Sequence, residues 1–134
     1  MDDVAEPVRG DLTVYLFPDC PERDGFHLFN EELENNSMIA FHGTAEGNLQ
    51  SIIEKGFRIE GELQSCSFAK NSPLALRYAR EKRSEASPNG CVVVVRFGSL
   101  DEVTEESSIF YVYKLKAMPE VVGYCIVPAC YRHI

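Results

Sequence analysis

Four short stretches of this chain carry residues able to do chemistry together. The first is Phe41-His42-Gly43-Thr44, in which His42 closes an apolar run of Met38, Ile39, Ala40 and Phe41. A histidine at the end of a buried strand, beside glycine backbone that no side chain covers, suits a ridge facing a ligand. The second is Gly56-Phe57-Arg58-Ile59. The third is Ser67-Phe68-Ala69, with Tyr78 ten residues after Phe68. The fourth is Met118-Pro119-Glu120, where a carboxylate opens an apolar run. The plain alternatives are a satisfied core histidine, a solvated arginine, a tyrosine on the inner face of a helix and a glutamate in a surface turn.

The elements that must position these residues follow from local pattern. Leu12–Phe17 alternates and stops at Pro18, a strand and a turn. The acidic stretch 19–37 reads as irregular, with Asn35-Asn36-Ser37 as a loop. Ser37–His42 reads as a second strand, after which Thr44 caps a helix with Leu49, Ile52 and Ile53 on its apolar face and Gly56 as its left-handed stop. Ser65–Ala69 is a short strand. Ser72 then caps a helix opened by Pro73, with Leu74, Ala75, Tyr78 and Ala79 on one side. Its charged end, Arg80–Arg83, reads as a solvated face. Cys91–Phe97 is nearly continuous in apolar residues, the pattern of a central strand buried on both faces. An acidic turn at Asp101–Glu106, an alternating stretch at Ser108–Lys116 and a last strand at Val121–Val127 complete the chain. Tyr111 and Tyr113 fall on one face of their strand, as core or rim, and His27 and His133 read as surface residues. The class is α+β with a mostly antiparallel sheet.

In this order the four stretches resemble the motifs of the ADP-ribosyltransferase superfamily, in its poly-ADP-ribose-polymerase-like branch, from Met38 to Pro128. The resemblance implies a split pair of mostly antiparallel sheets, with two early helices flanking a cleft that holds NAD. It implies that His42 bonds a ribose hydroxyl, that the Gly43 backbone pairs with the nicotinamide carboxamide, and that Thr44 belongs to the same motif. Arg58 takes the place of an arginine lining the adenosine side. Phe68 belongs to a Tyr-Phe-Ala-like run, and Tyr78 is similar to a tyrosine that stacks on nicotinamide, where a flat cationic ring favours a π face. Glu120 resembles the catalytic glutamate. Loss of nicotinamide leaves an oxocarbenium-like sugar, which a carboxylate on its 2′-hydroxyl stabilises. One residue departs from the pattern: Ser67 stands where the branch has the middle tyrosine of its His-Tyr-Glu triad. Ser65-Cys66-Ser67 is instead similar to the Ser-x-Ser strand of the arginine-modifying toxin branch, so the arrangement is a hybrid His-Ser-Glu. Arginine-specific relatives carry Gln or Glu two residues before the catalytic glutamate. Met118 is there in this chain, which disfavours an arginine acceptor.

Composition bounds these readings. A chain of 134 residues with 45% hydrophobic and 25% charged residues suits one domain. Residues 1–36 then form an N-terminal strand and irregular segment, and 37–128 the core that bears the motifs. No apolar run approaches the roughly 20 residues needed to cross a bilayer, and the acidic start Met1–Glu6 is no secretory signal. Five cysteines without regular spacing, three of them in strand-like runs, read as buried thiols of an intracellular protein, cytoplasmic or nuclear. No C-x-x-C pair or histidine cluster suggests a metal. A net charge of −8 opposes broad nucleic-acid binding. It also opposes an RNA 2′-phosphotransferase, which shares the fold and needs basic phosphate ligands. The expectation is a mono-ADP-ribosyltransferase that moves ADP-ribose from NAD to a macromolecular acceptor, protein in preference to nucleic acid. The alternatives are a binding module of the same fold without catalysis and a small interaction domain with no nucleotide site. The sequence leaves the oligomeric state open.

Overall fold

The computed structural model describes residues 4–8, 12–18, 28–59 and 65–131. Their elements run β1 (Val4–Val8), β2 (Leu12–Tyr15), α1 (Glu31–Glu34), β3 (Ile39–Ala45), α2 (Leu49–Lys55), β4 (Cys66–Ala69), α3 (Ser72–Glu81), β5 (Gly90–Arg96), β6 (Val103–Glu106), β7 (Ile109–Val112) and β8 (Glu120–Val127). Cys20, His27 and His133 lie outside the described residues. The strands form an eight-stranded sheet in the order β1-β2-β8-β5-β3-β4-β7-β6. All neighbours are antiparallel except β2 and β8. The class is therefore α+β, as the order of helices and strands in the sequence suggests.

β5 organises the sheet. Its residues Cys91–Val95 are completely buried, the β-branched run expected of a strand covered on both faces. It pairs with β3 from Ile39↔Arg96 to Ala45↔Gly90 and with β8 from Gly90↔Val127 to Arg96↔Glu120. On one face, Phe41, Val92, Val94 and Cys125 pack under α3. On the other, Phe57, Phe68, Val93 and Val95 pack with Leu49 of α2. Between β3 and β4 the ladder shrinks to a single pair, Phe41↔Ala69. Beyond that rung the strands part.

α3 lies on the sheet at very short range. A Cβ on Gly43 would fall 2.0 Å from the Ala75 carbonyl oxygen, and one on Gly90 2.5 Å from that of Ala79. Only glycine on the strands, facing alanine on the helix, permits this approach. The helix is capped by Asn71, whose side chain accepts from the Leu74 N–H at 3.0 Å, and not by Ser72 as the sequence suggests. Ser72 is the first helical residue and fully buried. Its hydroxyl accepts from the Leu28 N–H at 2.9 Å and donates to Glu34 at 2.5 Å, so it ties the segment before β3 to α3. That segment was expected to be irregular, yet it contains α1, capped by Asn30.

β3 is longer than expected. Its pairing with β5 carries it through Thr44 and Ala45, so Thr44 sits in the strand and does not cap α2. A 3-10 turn at Glu46–Asn48 leads into α2, which stops at Gly56 with φ of 80°, the left-handed stop anticipated. The acidic stretch 101–106 is not wholly a turn either. Val103–Glu106 forms the sheet edge, joined to β7 by Ser107 and Ser108, both at positive φ as a tight hairpin turn requires. Cys66, Cys91 and Cys125 are buried, and Cys130 is exposed. No helix among the described residues is long and apolar enough to cross a membrane.

Candidate functional site

The parting of β3 and β4 makes a cleft, and hydrogen bonds just outside the strands fix which peptide groups face it. Phe97 N–H donates to the Met38 carbonyl, and Glu46 N–H to that of Asn89. Even-numbered residues of β3 thus direct their peptide groups at β5 and odd-numbered ones direct theirs away. Lys70 N–H donates to Ser108, so even-numbered residues of β4 face β7, and Ser67 and Ala69 face β3. Phe41 spends its edge on Ala69. Gly43, two residues on, presents its N–H and C=O to the open cleft.

His42 spans the seam. Its Nδ1 is 3.0 Å from the Ser67 carbonyl oxygen, which can only accept, so Nδ1 carries the hydrogen. The ring is wedged against Phe57 and Phe68 at centroid distances of 5.0 and 5.5 Å. Burial lowers its pKa, outweighing the Ser67 carbonyl that favours the charged form, and Lys82 nearby pushes the same way. The ring is therefore neutral at pH 7, with Nε2 as a hydrogen-bond acceptor.

The cleft has two lobes. One, of about 410 Å³, is lined by Gly43, Ser67, Phe68, Ala69, Tyr78 and Ile109. The other, of about 510 Å³, is lined by Ser51, Ile52, Gly56, Phe57, Arg58 and Ser65. His42, Thr44, Asn48, Ser67 and Lys82 border both lobes and mark their junction. There Asn48 Nδ2 donates to Thr44 Oγ1 at 2.9 Å. Among the described residues, no aspartate or glutamate lines either lobe. No group of three metal-ligating side chains occurs among them.

The fold thus brings His42, Gly43, Thr44, Ser67, Phe68 and Tyr78 together, with Arg58 in the adjoining lobe. It does not bring Glu120 to them. β8 runs antiparallel to β5, which sets Glu120 level with Arg96 and Ile39, whereas His42 is level with Val93 and Tyr124. Glu120 borders a further recess of about 400 Å³ with Leu12, Ile53 and Val121, which meets the second lobe at Ile52, Gly56 and Phe57 and shares no residue with the lobe that holds Tyr78. The glycine of the first motif also has a different cause from the one read in the sequence: its missing Cβ makes room for α3, and only its peptide edge faces the cleft. Sequence reasoning missed Asn48, in the 3-10 turn before α2, as well as Lys82 and Ile109. Lys82 belongs to the run 80–83, read as solvated. It is the C-cap of α3, one turn beyond Tyr78, to whose carbonyl its N–H donates at 2.9 Å. Ile109 reaches the cleft because β7 pairs with β4, Ala69 against Ile109.

No protein-family model, curated protein or solved structure matches this chain.

Proposed function

We propose that the chain is an ADP-ribosyltransferase-like module that binds NAD in the seam between β3 and β4. The supporting observation is the convergence, in one cleft, of three groups with complementary tasks. The Gly43 peptide edge offers a donor and an acceptor to a carboxamide. Tyr78 offers an aromatic face to a flat ring. His42 Nε2 accepts from a ribose hydroxyl. The adenosine half then extends toward Arg58 in the second lobe.

Binding is favoured over transfer. Cleavage of the nicotinamide bond builds positive charge on the sugar, and a carboxylate close to it would stabilise that charge. Ile109, not an acid, is the β7 residue lining the lobe with Tyr78, and Glu120 borders another recess. Calorimetric titration with NAD tests the reading. The wild-type chain should bind, and His42→Ala should bind about fivefold more weakly, the worth of one hydrogen bond of about 1 kcal/mol. Glu120→Gln should bind as the wild type does. Absence of NAD binding at millimolar ligand refutes the proposal. Release of nicotinamide by the wild type, lost in Glu120→Gln, would restore the transferase reading with a protein acceptor.

A further inference from the structure

We infer that Lys82 binds the diphosphate bridge of the ligand, which makes the junction of the two lobes a selective site for diphosphate esters. The identity of the esters rests on the NAD reading above; the anion site does not. A dinucleotide is two ring-bearing halves joined through a diphosphate. If each lobe takes one half, the bridge lies where the lobes meet. Five residues border both lobes there, and Lys82 is the only one with a permanent charge.

The hydrogen-bonding chemistry of the junction fits an anion. Thr44 Oγ1 already accepts from Asn48, so the Thr44 hydroxyl hydrogen is left to donate. The Asn48 amide keeps a second hydrogen for the same purpose. The Lys82 ammonium offers three donors and makes no hydrogen bond or ion pair with any described residue. His42 is the exception, an acceptor suited to a hydroxyl, so it orders the site into a sugar end and a phosphate end. Charge points the same way. The chain has 21 acidic and 13 basic residues, yet every charged side chain among the described residues lining the cleft is basic. The field of Lys82 already reaches His42, where it opposes protonation. An anion settling on the ammonium relieves that opposition. Lys82 is also exposed and just past the last turn of α3, so its replacement leaves the core untouched.

The test titrates wild type, Lys82→Ala and Lys82→Arg with NAD, ADP-ribose, nicotinamide and inorganic pyrophosphate. Lys82→Ala should weaken NAD, ADP-ribose and pyrophosphate by about tenfold, as loss of a charge-assisted hydrogen bond does. Nicotinamide, which has no phosphate, should bind both proteins alike. Lys82→Arg should recover most of the loss. Unchanged affinity of Lys82→Ala for NAD and pyrophosphate overturns the inference while leaving the NAD reading standing. An equal loss for nicotinamide also overturns it, since that marks general damage to the cleft. Pyrophosphate that binds through Lys82, in a protein that ignores NAD, sustains the anion site and refutes the NAD reading. Failure of the wild type to bind either ligand refutes both.

Discussion

Replacing Gly43 by alanine separates two reasons for a glycine beside His42. From the sequence, the glycine serves a ligand that must approach the backbone. In the structure, it serves α3. An alanine Cβ at position 43 would sit 2.0 Å from the Ala75 carbonyl oxygen and 2.7 Å from the Ala79 nitrogen. Both are helix backbone, so no rotamer change relieves the contact. Ordinary van der Waals contact begins at 3.4 Å, which requires α3 to retreat by more than an ångström from a face where Ala75, Leu76 and Ala79 are buried. Overpacking a core costs about 1–3 kcal/mol, and a clash with immovable backbone belongs at the top of that range. Gly43→Ala should therefore cost about 3 kcal/mol. At about 4 °C per kcal/mol for a chain of this size, Tm should fall by about 12 °C. Urea unfolding followed by circular dichroism gives the free energy independently. Gly98→Ala is the control: nothing lies within 4 Å of its added Cβ, and the change should stay within about 0.5 kcal/mol. An unaltered unfolding midpoint for Gly43→Ala, combined with lost NAD binding, would refute the packing argument and return the glycine to the ligand.

Two further predictions concern stability. Ser72→Ala strips the Leu28 N–H of its acceptor and Glu34 of a donor in a buried setting, and should cost about 2 kcal/mol in urea unfolding; no loss would mean that the segment before β3 is not pinned to α3. His42 has its pKa lowered below 6.5, so between 6.5 and the lowered value the unfolded chain binds more protons than the folded one. Its contribution is complete above pH 6.5 and is lost as pH falls through 6.5 toward the lowered value, at no more than about 1.4 kcal/mol per pH unit. His42→Gln should flatten that part of a stability profile measured from pH 7 to pH 5, and equal slopes in the two proteins would refute a neutral, partly desolvated ring.

Sequence reasoning succeeded where local pattern decides the outcome. The run from Cys91 to Val95 could be a central strand because no polar residue interrupts it, and Gly56 could end α2 because only glycine adopts that φ cheaply. It failed where a partner distant in sequence decides. Asn71 and Ser72 can both cap a helix. Ser72 lost that position because Glu34 and Leu28 claim its hydroxyl. Thr44 was drawn into β3 by Cys91, its partner on β5. Glu120 opens an apolar strand after a proline, but strand register, which no local pattern reveals, sets it level with Ile39 and not with His42. The Ala69↔Ile109 pairing that carries Ile109 into the cleft is equally non-local. The charged run 80–83 divides in the same way: Arg83 donates to the Pro128 carbonyl at 2.7 Å, whereas Lys82 borders the cleft.

The opposition between an acidic chain and a basic cleft bears on what size of anion the site can take. At physiological ionic strength charges are screened over about 8 Å, so a ligand at the junction responds mainly to the cation that borders it, Lys82. A polyanion that extends beyond the cleft also meets the excess of carboxylates behind the net charge of −8. The net charge of the chain opposes each further phosphate, the reverse of the basic surface that tracks a nucleic-acid backbone. Held to one or two phosphates, a ligand gains the ammonium and the junction donors and escapes that field. On the proposed reading, this combination favours a small diphosphate ester over a polynucleotide carrying the same sugar and base.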